Sequence, residues 1–352
     1  MQFDYYSHLY LNSKNFIKNL FDAERNFENA RGENNKYERE SAQQSIFKNL
    51  SQLEVSDPTL FYHYLNILRS KQAGELLNLW KNKILDQNVA SNKNSEDLYE
   101  TLSIFDADTL KCLPAYSLLI RCVIQLIKPY ISRDDHDFYI IDNPIKSDKL
   151  LRRPLVSATT WKGCFRKSLQ SIQGIQEDDI VRLVGQESPQ TENAKAGRLS
   201  FFPSFFEEKD RKIEIINPHE RKNKKGGVPV SIECVRQQAK AIFTLLYVPF
   251  DLNGEYKQRK NLIEIQKDLS WLPDALNILW SQQGFGAKTS AGYDLAKLGK
   301  GELYFRSPLD EPFIMFKFDG FESTSQEQQG FKQKMERLIK ERLTVNGENN
   351  HE

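Results

Sequence analysis

Eleven residues limit the fold more than any other stretch of the chain. In "SLLIRCVIQLI", Leu118, Ile120, Cys122, Ile124 and Leu126 alternate onto one side, while Leu119, Val123 and Ile127 share the other with Arg121 and Gln125. A period of two is the pattern of a β-strand. Apolar residues on both sides make it a long, mostly buried one. Such a strand needs partners on its flanks and a layer above it. The sequence offers both. "RLSFFPSFF", "AIFTLLYVPF", "GELYFRS" and "FIMFKFD" read as strands, with "FYIIDNP" as a further short one. Between them, Thr160 to Gln173 and Trp271 to Gln282 read as helices. "GFKQKMERLIKERL" reads as a closing helix with Phe331, Met335, Leu338 and Ile339 inside. This part of the chain is α+β, in the order β, α, β.

The first hundred or so residues have a different texture. Phe16 and Leu20 share a helix face. Asp57 and Pro58 open another helix as N-cap and first residue, and Leu76, Leu77, Trp80 and Ile84 line one side of a third. We expect a helical N-terminal domain over 1–110, an α+β domain over 111–345 and a disordered tail over 346–352.

Charge and cysteine usage narrow the function classes. The formal net charge of +1 excludes a globally basic binder, so any nucleic-acid site must come from local clustering. The four cysteines, Cys112, Cys122, Cys164 and Cys234, are scattered without a Cys-x-x-Cys pair. That argues against a disulfide framework or a zinc knuckle and fits a reducing cytoplasm. The N-terminus "MQFDYYSHLYLNSKNF" lacks the apolar centre of a signal peptide, and no apolar run reaches the roughly 18 residues of a membrane helix. We expect a cytoplasmic protein with no membrane partner.

Four stretches carry chemistry. "RRPLVSATTWKGCFRKSL" gathers Arg152, Arg153, Lys162, Arg166 and Lys167 around Trp161 and Gly163. It reads either as a solvated basic helix face or as a phosphate-holding helix start, with Gly163 allowing close approach. "GFGAKTSAGYD" places Gly284, Gly286, Lys288 and Thr289 in one loop. A Walker A loop follows a strand and opens a helix; here the spacing and the flanks are reversed, which argues against a nucleotide-hydrolysing P-loop. "NPHERKNKKGGVPV" carries Arg221, Lys222, Lys224 and Lys225 between two strand-like runs. It reads as a basic hairpin, either solvated or laid along phosphates. "SRDDHDFYIIDNPIKSD" clusters Asp134, Asp135, Asp137, Asp142 and Asp148 near His136, as surface charge or as oxygen ligands for a divalent cation.

In this order the four stretches resemble the RAMP superfamily of CRISPR proteins, specifically the backbone subunits of type III effector complexes. Asp142, Pro144 and Ile145 match that family's Asp-x-Pro-Ile loop. Thr159, Thr160, Trp161, Lys162, Gly163 and Arg166 match its Ser-Ser-x-Lys-Gly-x-x-Arg helix start. Gly284, Gly286, Lys288, Thr289, Gly292 and Tyr293 match its glycine-rich loop. The resemblance covers residues 115–305. Three features depart from it. Ala158 stands for a glycine and threonines stand for serines. Asp294 replaces the loop's last glycine. The helical N-terminal part lies outside the common core.

The resemblance implies a ferredoxin-like, RRM-related core with a thumb hairpin and an appended N-terminal helical domain. It implies that CRISPR RNA is held by its backbone through Arg153, Lys162, Gly163, Arg166, Lys167, Gly284, Gly286, Lys288 and Thr289. Arg221 and Lys224 of the thumb would press between guide and target RNA. Other effector subunits are the implied partners. Asp142 is the implied catalytic and metal-binding residue, cutting target RNA with Mg²⁺ or Mn²⁺, and His136 is a candidate acid. The alternative within the family is a non-catalytic structural or end subunit.

Overall fold

In the computed structural model, the described residues are 111–134, 143–148, 153–186, 195–216, 229–252, 255, 258–308, 314–321 and 330–343, with isolated helical positions between 18 and 48. The chain divides into two units, 1–83 with 136–142, and 84–135 with 143–352. Every element below belongs to the second. The expectations for the N-terminal helices, the strand "FYIIDNP", His136, Asp142, the arm with Arg221 and Lys224, and the tail lie outside the described residues.

The alternating strand forms as expected. β1 (Leu118–Leu126) sits in the middle of a five-stranded antiparallel sheet. β7 (Lys240–Tyr247) pairs on one side, with Leu118 opposite Tyr247 and Gln125 opposite Lys240. β8 (Ala296–Phe305) pairs on the other, with a register shift between Cys122 and Ile124. The short β3 (Leu199–Phe201) closes the β7 edge and β9 (Ile314–Asp319) the β8 edge.

The crossovers define the fold. From β1 the chain runs through α1 (Ala158–Gln170) and α2 (Glu177–Val184) to β3, skipping the place of β7. From β7 it runs through α3 (Arg259–Ile278) to β8, skipping the place of β1. Two interleaved βαβ units in the order β3-β7-β1-β8 make a ferredoxin-like sheet, to which β9 and α4 (Phe331–Arg342) are added. Leu118, Ile120, Cys122, Ile124 and Leu126 are buried in one cluster with Trp161, Phe165 and Leu169 of α1, Leu269, Leu272 and Leu276 of α3, and Phe331, Met335 and Leu338 of α4. Each such side chain removed from water contributes about 1.5–3 kcal/mol.

Several boundaries differ from the sequence reading for physical reasons. α1 starts two residues earlier because Ser157 caps it: its Oγ accepts from Thr160 N at 3.2 Å. α3 starts at Arg259 rather than Trp271, which puts Pro273 well inside the helix instead of in its first turn. A mid-helix proline removes one hydrogen bond and reads as a break. "RLSFFPSFF" is two strands in two sheets. β3 pairs with β7, and β4 (Ser204–Phe205) pairs with β2 (Leu155–Val156), Pro203 lying between. α2 is a helix beyond those expected, opened by three acidic residues and with Ile180, Leu183 and Val184 on its buried face.

Candidate nucleic-acid interface

Trp161, in the first turn of α1, is fully buried, and its Nε1 donates to Ser204 Oγ at 3.1 Å. Its ring meets Phe285 with centroids 4.5 Å apart and Phe243 edge-on at 5.0 Å. Phe285 stands between Gly284 and Gly286, and its other side stacks on Tyr130 at 5.6 Å. The basic helix start and the glycine loop are therefore one site, joined through a buried aromatic pair.

A second tie lies at the far end of α1. α3 ends in a π turn, Leu279–Gln283, which leads into the loop. Gln283 Oε1 accepts from Ser168 Oγ at 2.9 Å, and its Nε2 donates to Ser171 Oγ at 2.8 Å and to Lys167 O at 3.2 Å. The loop thus leaves from a point fixed against the helix that carries the lysines.

The loop itself is held from within. Gly284 has a φ of 74°. At Gly286 a Cβ would run into the Ile131 carbonyl and, at 2.6 Å, into Asp294 Oδ1, so only glycine fits. Ala287 N donates to Ile131 O at 2.7 Å, and Asp294 N donates to Pro129 O at 3.1 Å. Lys288 takes a left-handed φ of 62° and is exposed. For a residue with a Cβ that conformation costs about 1–2 kcal/mol. Thr289 begins a short 3₁₀ turn, Thr289–Ala291, and is half-buried.

On α1, Lys167 and Gly163 are exposed and Lys162 is half-buried. A Cβ built on Gly163 would meet nothing within 4 Å. The protein's own packing gives no reason for a glycine there, in the second turn of a helix where Ala would be better by up to about 1 kcal/mol. Among the described residues, no carboxylate forms an ion pair with Lys162, Lys167 or Lys288.

Arg166 is placed differently from the sequence expectation of a basic face shared with Lys162. It is buried, and its Nη2 donates to Gly185 O at 2.6 Å and Val184 O at 3.3 Å, satisfying the C-terminal carbonyls of α2. Arg153 is buried as well, beside the bridge between Ser147 and Pro154.

The hairpin has its base beside the loop. β5 (Arg211–Ile216) pairs with β6 (Val230–Val235), Ile216 facing Val230. Ile232 and Cys234 pack with Ile131, and Ile216, Ala287 and Tyr293 lie against them. The hairpin also holds the segment that follows Asp142. Glu233 N donates to Asn143 O at 3.0 Å, Ile145 N donates to Glu233 Oε2 at 3.3 Å, and Arg211 Nη2 donates to Ser147 Oγ at 3.0 Å. Ile145 is fully buried.

Among the described residues, no three His, Cys, Asp or Glu side chains come together as a metal site. Among the same residues, no helix is long and apolar enough to cross a membrane.

What the sequence did not show was the joining of the two motifs. Phe285 between two glycines opposite a tryptophan in the other motif was the available signal. Gln283 gave none, and Asp294 showed only as a departure from the family's pattern.

The RAMP superfamily model matches residues 117–293, from β1 to the end of the glycine loop. No curated protein matches the sequence. Among solved structures, the chain is similar to one in a type III-B Cmr-beta complex bound to cognate target RNA, at 18% identity over 75% of this chain and 90% of that one, TM-score 0.44. It is also similar to one in a Csm3–Csm4 subcomplex of a type III-A CRISPR-Cas interference complex, at 14% identity over 65% and 98%, TM-score 0.38. A third is in a CRISPR RNA-guided surveillance complex, at 16% identity over 56% and 71%, TM-score 0.38.

Proposed function

Because the chain belongs to the RAMP superfamily, whose model matches half of its length, we propose that it is an RNA-holding subunit of a type III CRISPR effector complex. It grips the sugar-phosphate backbone of the guide RNA and works in the cytoplasm beside other effector subunits. The observation that carries this reading is the single site made when Trp161 meets Phe285 at 4.5 Å. That contact puts exposed lysines and an unfilled glycine on two elements fixed to one another. Lys162, Lys167 and Lys288 supply cations that have no carboxylate partner among the described residues, Gly163 leaves room for a phosphate, and Thr289 offers a hydroxyl. Such a surface positions a strand without reading its bases. Guide pairing then selects the target. Arg166 and Arg153 serve the protein's own packing and are not part of the grip.

The reading extends to cleavage. Asp142 precedes a segment that Glu233 and Arg211 pin to the base of the hairpin, from which Arg221 and Lys224 would reach the RNA. We assign Asp142 the cutting of target RNA. A carboxylate there can accept the proton of a ribose 2′-hydroxyl, whose oxygen attacks the adjacent phosphate; the bond to the next nucleotide's 5′-oxygen breaks, that oxygen takes a proton from water, and a 2′,3′-cyclic phosphate is left. Bound Mg²⁺ or Mn²⁺ would add charge stabilisation of that phosphate. The test is target-RNA cleavage by the assembled complex with Asp142→Ala. Loss of one cut with guide retention intact supports the slicer. An unchanged pattern leaves a structural subunit. Guide retention that does not weaken with salt would remove the phosphate-grip reading itself.

A further inference from the structure

Asp294 stands where the resembled loop ends in glycine, and the structure gives it a task. It is fully buried and has a left-handed φ of 66°. Its Oδ1 accepts from Ile131 N at 2.6 Å, while Oδ2, also buried, has no hydrogen-bond partner among the described residues. With Ala287 N on Ile131 O and Asp294 N on Pro129 O, this bond closes the glycine loop onto the segment leaving β1. Gly286 is the residue that lets the carboxyl come so close.

We propose that Asp294 is a positioning residue for the phosphate grip: its buried carboxyl clasps the glycine loop to Ile131, and gain or loss of its proton sets how firmly the loop is held. This rests on the RNA-holding reading above. A carboxylate in that place has one donor among the described residues and is buried away from solvent. Once ionised, it can be solvated only by lifting the loop from Ile131. Burial pushes its pKa up to about 8, against the Ile131 N–H, which pulls it down.

The titratable groups that bear on it are Tyr130 beside the β1 exit, Cys164 on α1, Cys234 on β6 and Tyr293 in the loop. Burial raises all four, so none carries a charge at neutral pH. Lys167 acts on Cys164, and Lys212 and Glu214 of β5 act with opposite signs on Cys234 and Tyr293. A neutral Asp294 also spares an incoming phosphate a like charge in the loop that carries Lys288.

The sign follows from linkage. The unfolded carboxyl releases its proton near pH 4 and the folded one near 8. The folded state therefore loses stability as pH rises through that window, and the loss levels off above it. RNA binding, which favours the neutral form, weakens across a higher window, by up to about tenfold between pH 7 and 9.

The experiment compares the full chain with Asp294→Asn, which keeps the shape, the acceptor and the tolerance of positive φ. Thermal unfolding is followed from pH 5 to 8 without RNA. Affinity for oligoadenylate, whose bases do not titrate there, is followed from pH 7 to 9. The wild type should lose unfolding temperature and then affinity as pH rises, and the variant should be flatter in both. Equal unfolding profiles overturn the clasp. Oligoadenylate that binds neither protein overturns the RNA-holding reading and leaves the clasp judged by unfolding. A clasp confirmed by unfolding with equal affinity profiles overturns its coupling to the grip. Should Asp294→Asn not fold, protection of the Ile131 amide in the wild type decides. Loss of that protection between pH 7 and 9, after correction for intrinsic exchange, supports the clasp, and constant protection overturns it.

Discussion

Two groups of cations within this fold are used in opposite ways. Between α2, β7 and α3, Arg198 is buried against Asp251 at 2.7 Å, Asp268 at 2.8 Å and Glu264 at 3.3 Å. Arg182 reaches Asp268 at 2.7 Å and Asp179 at 2.8 Å, and Tyr247 adds a hydroxyl to Asp268 at 2.9 Å. Each positive charge there has a carboxylate within the protein. At the start of α1 and in the glycine loop, Lys162, Lys167 and Lys288 have no carboxylate partner among the described residues. Charge balanced inside holds elements together. Charge left unbalanced at a surface waits for an anion from outside. A net charge of +1 hides this division.

The largest effect should come from breaking the balanced group. Arg198→Met leaves Asp268 with Arg182 and Tyr247 alone, and should cost about 3–5 kcal/mol in denaturant unfolding. The folded fraction should still bind RNA. A loss under 1 kcal/mol would mean that the network adds little.

The contrast sharpens at two neighbouring residues. Arg166→Met should cost about 1–3 kcal/mol, because the α2 carbonyls lose a buried donor, and should leave the salt dependence of RNA binding unchanged. Lys167→Met should change stability by less than about 0.5 kcal/mol. It should flatten the slope of log affinity against log salt by about 0.7, the contribution of one phosphate on a single strand. The reverse pattern would exchange their roles.

The smallest effect is the most selective. Gly163→Ala should stabilise the protein by about 0.5–1 kcal/mol, since nothing obstructs the added methyl. It should at the same time weaken RNA binding. A variant more stable and equally tight would show that no ligand needs that space.

The sequence carried the framework of the fold. The alternation of Leu118 to Leu126 placed the central strand and its buried side, and the strand-like runs around the basic arm gave β5 and β6. It failed where tertiary context overrides a local rule, as at Pro273 inside α3. For the site, composition brought the basic residues forward but could not sort them. Arg166 and Lys167 are adjacent in sequence. Only the position of the α2 C-terminus sends one inward and leaves the other outside. Asp294 read as a departure from a pattern because its partner, Ile131, lies 163 residues away.

Gln283 has a consequence of its own. Its amide joins the loop to α1 through three bonds, and it carries no charge. Salt strong enough to strip a phosphate from the lysines does not act on that joint. The jaws keep their spacing when nothing is between them, so a released strand can be exchanged for another without the protein having to rebuild its grip.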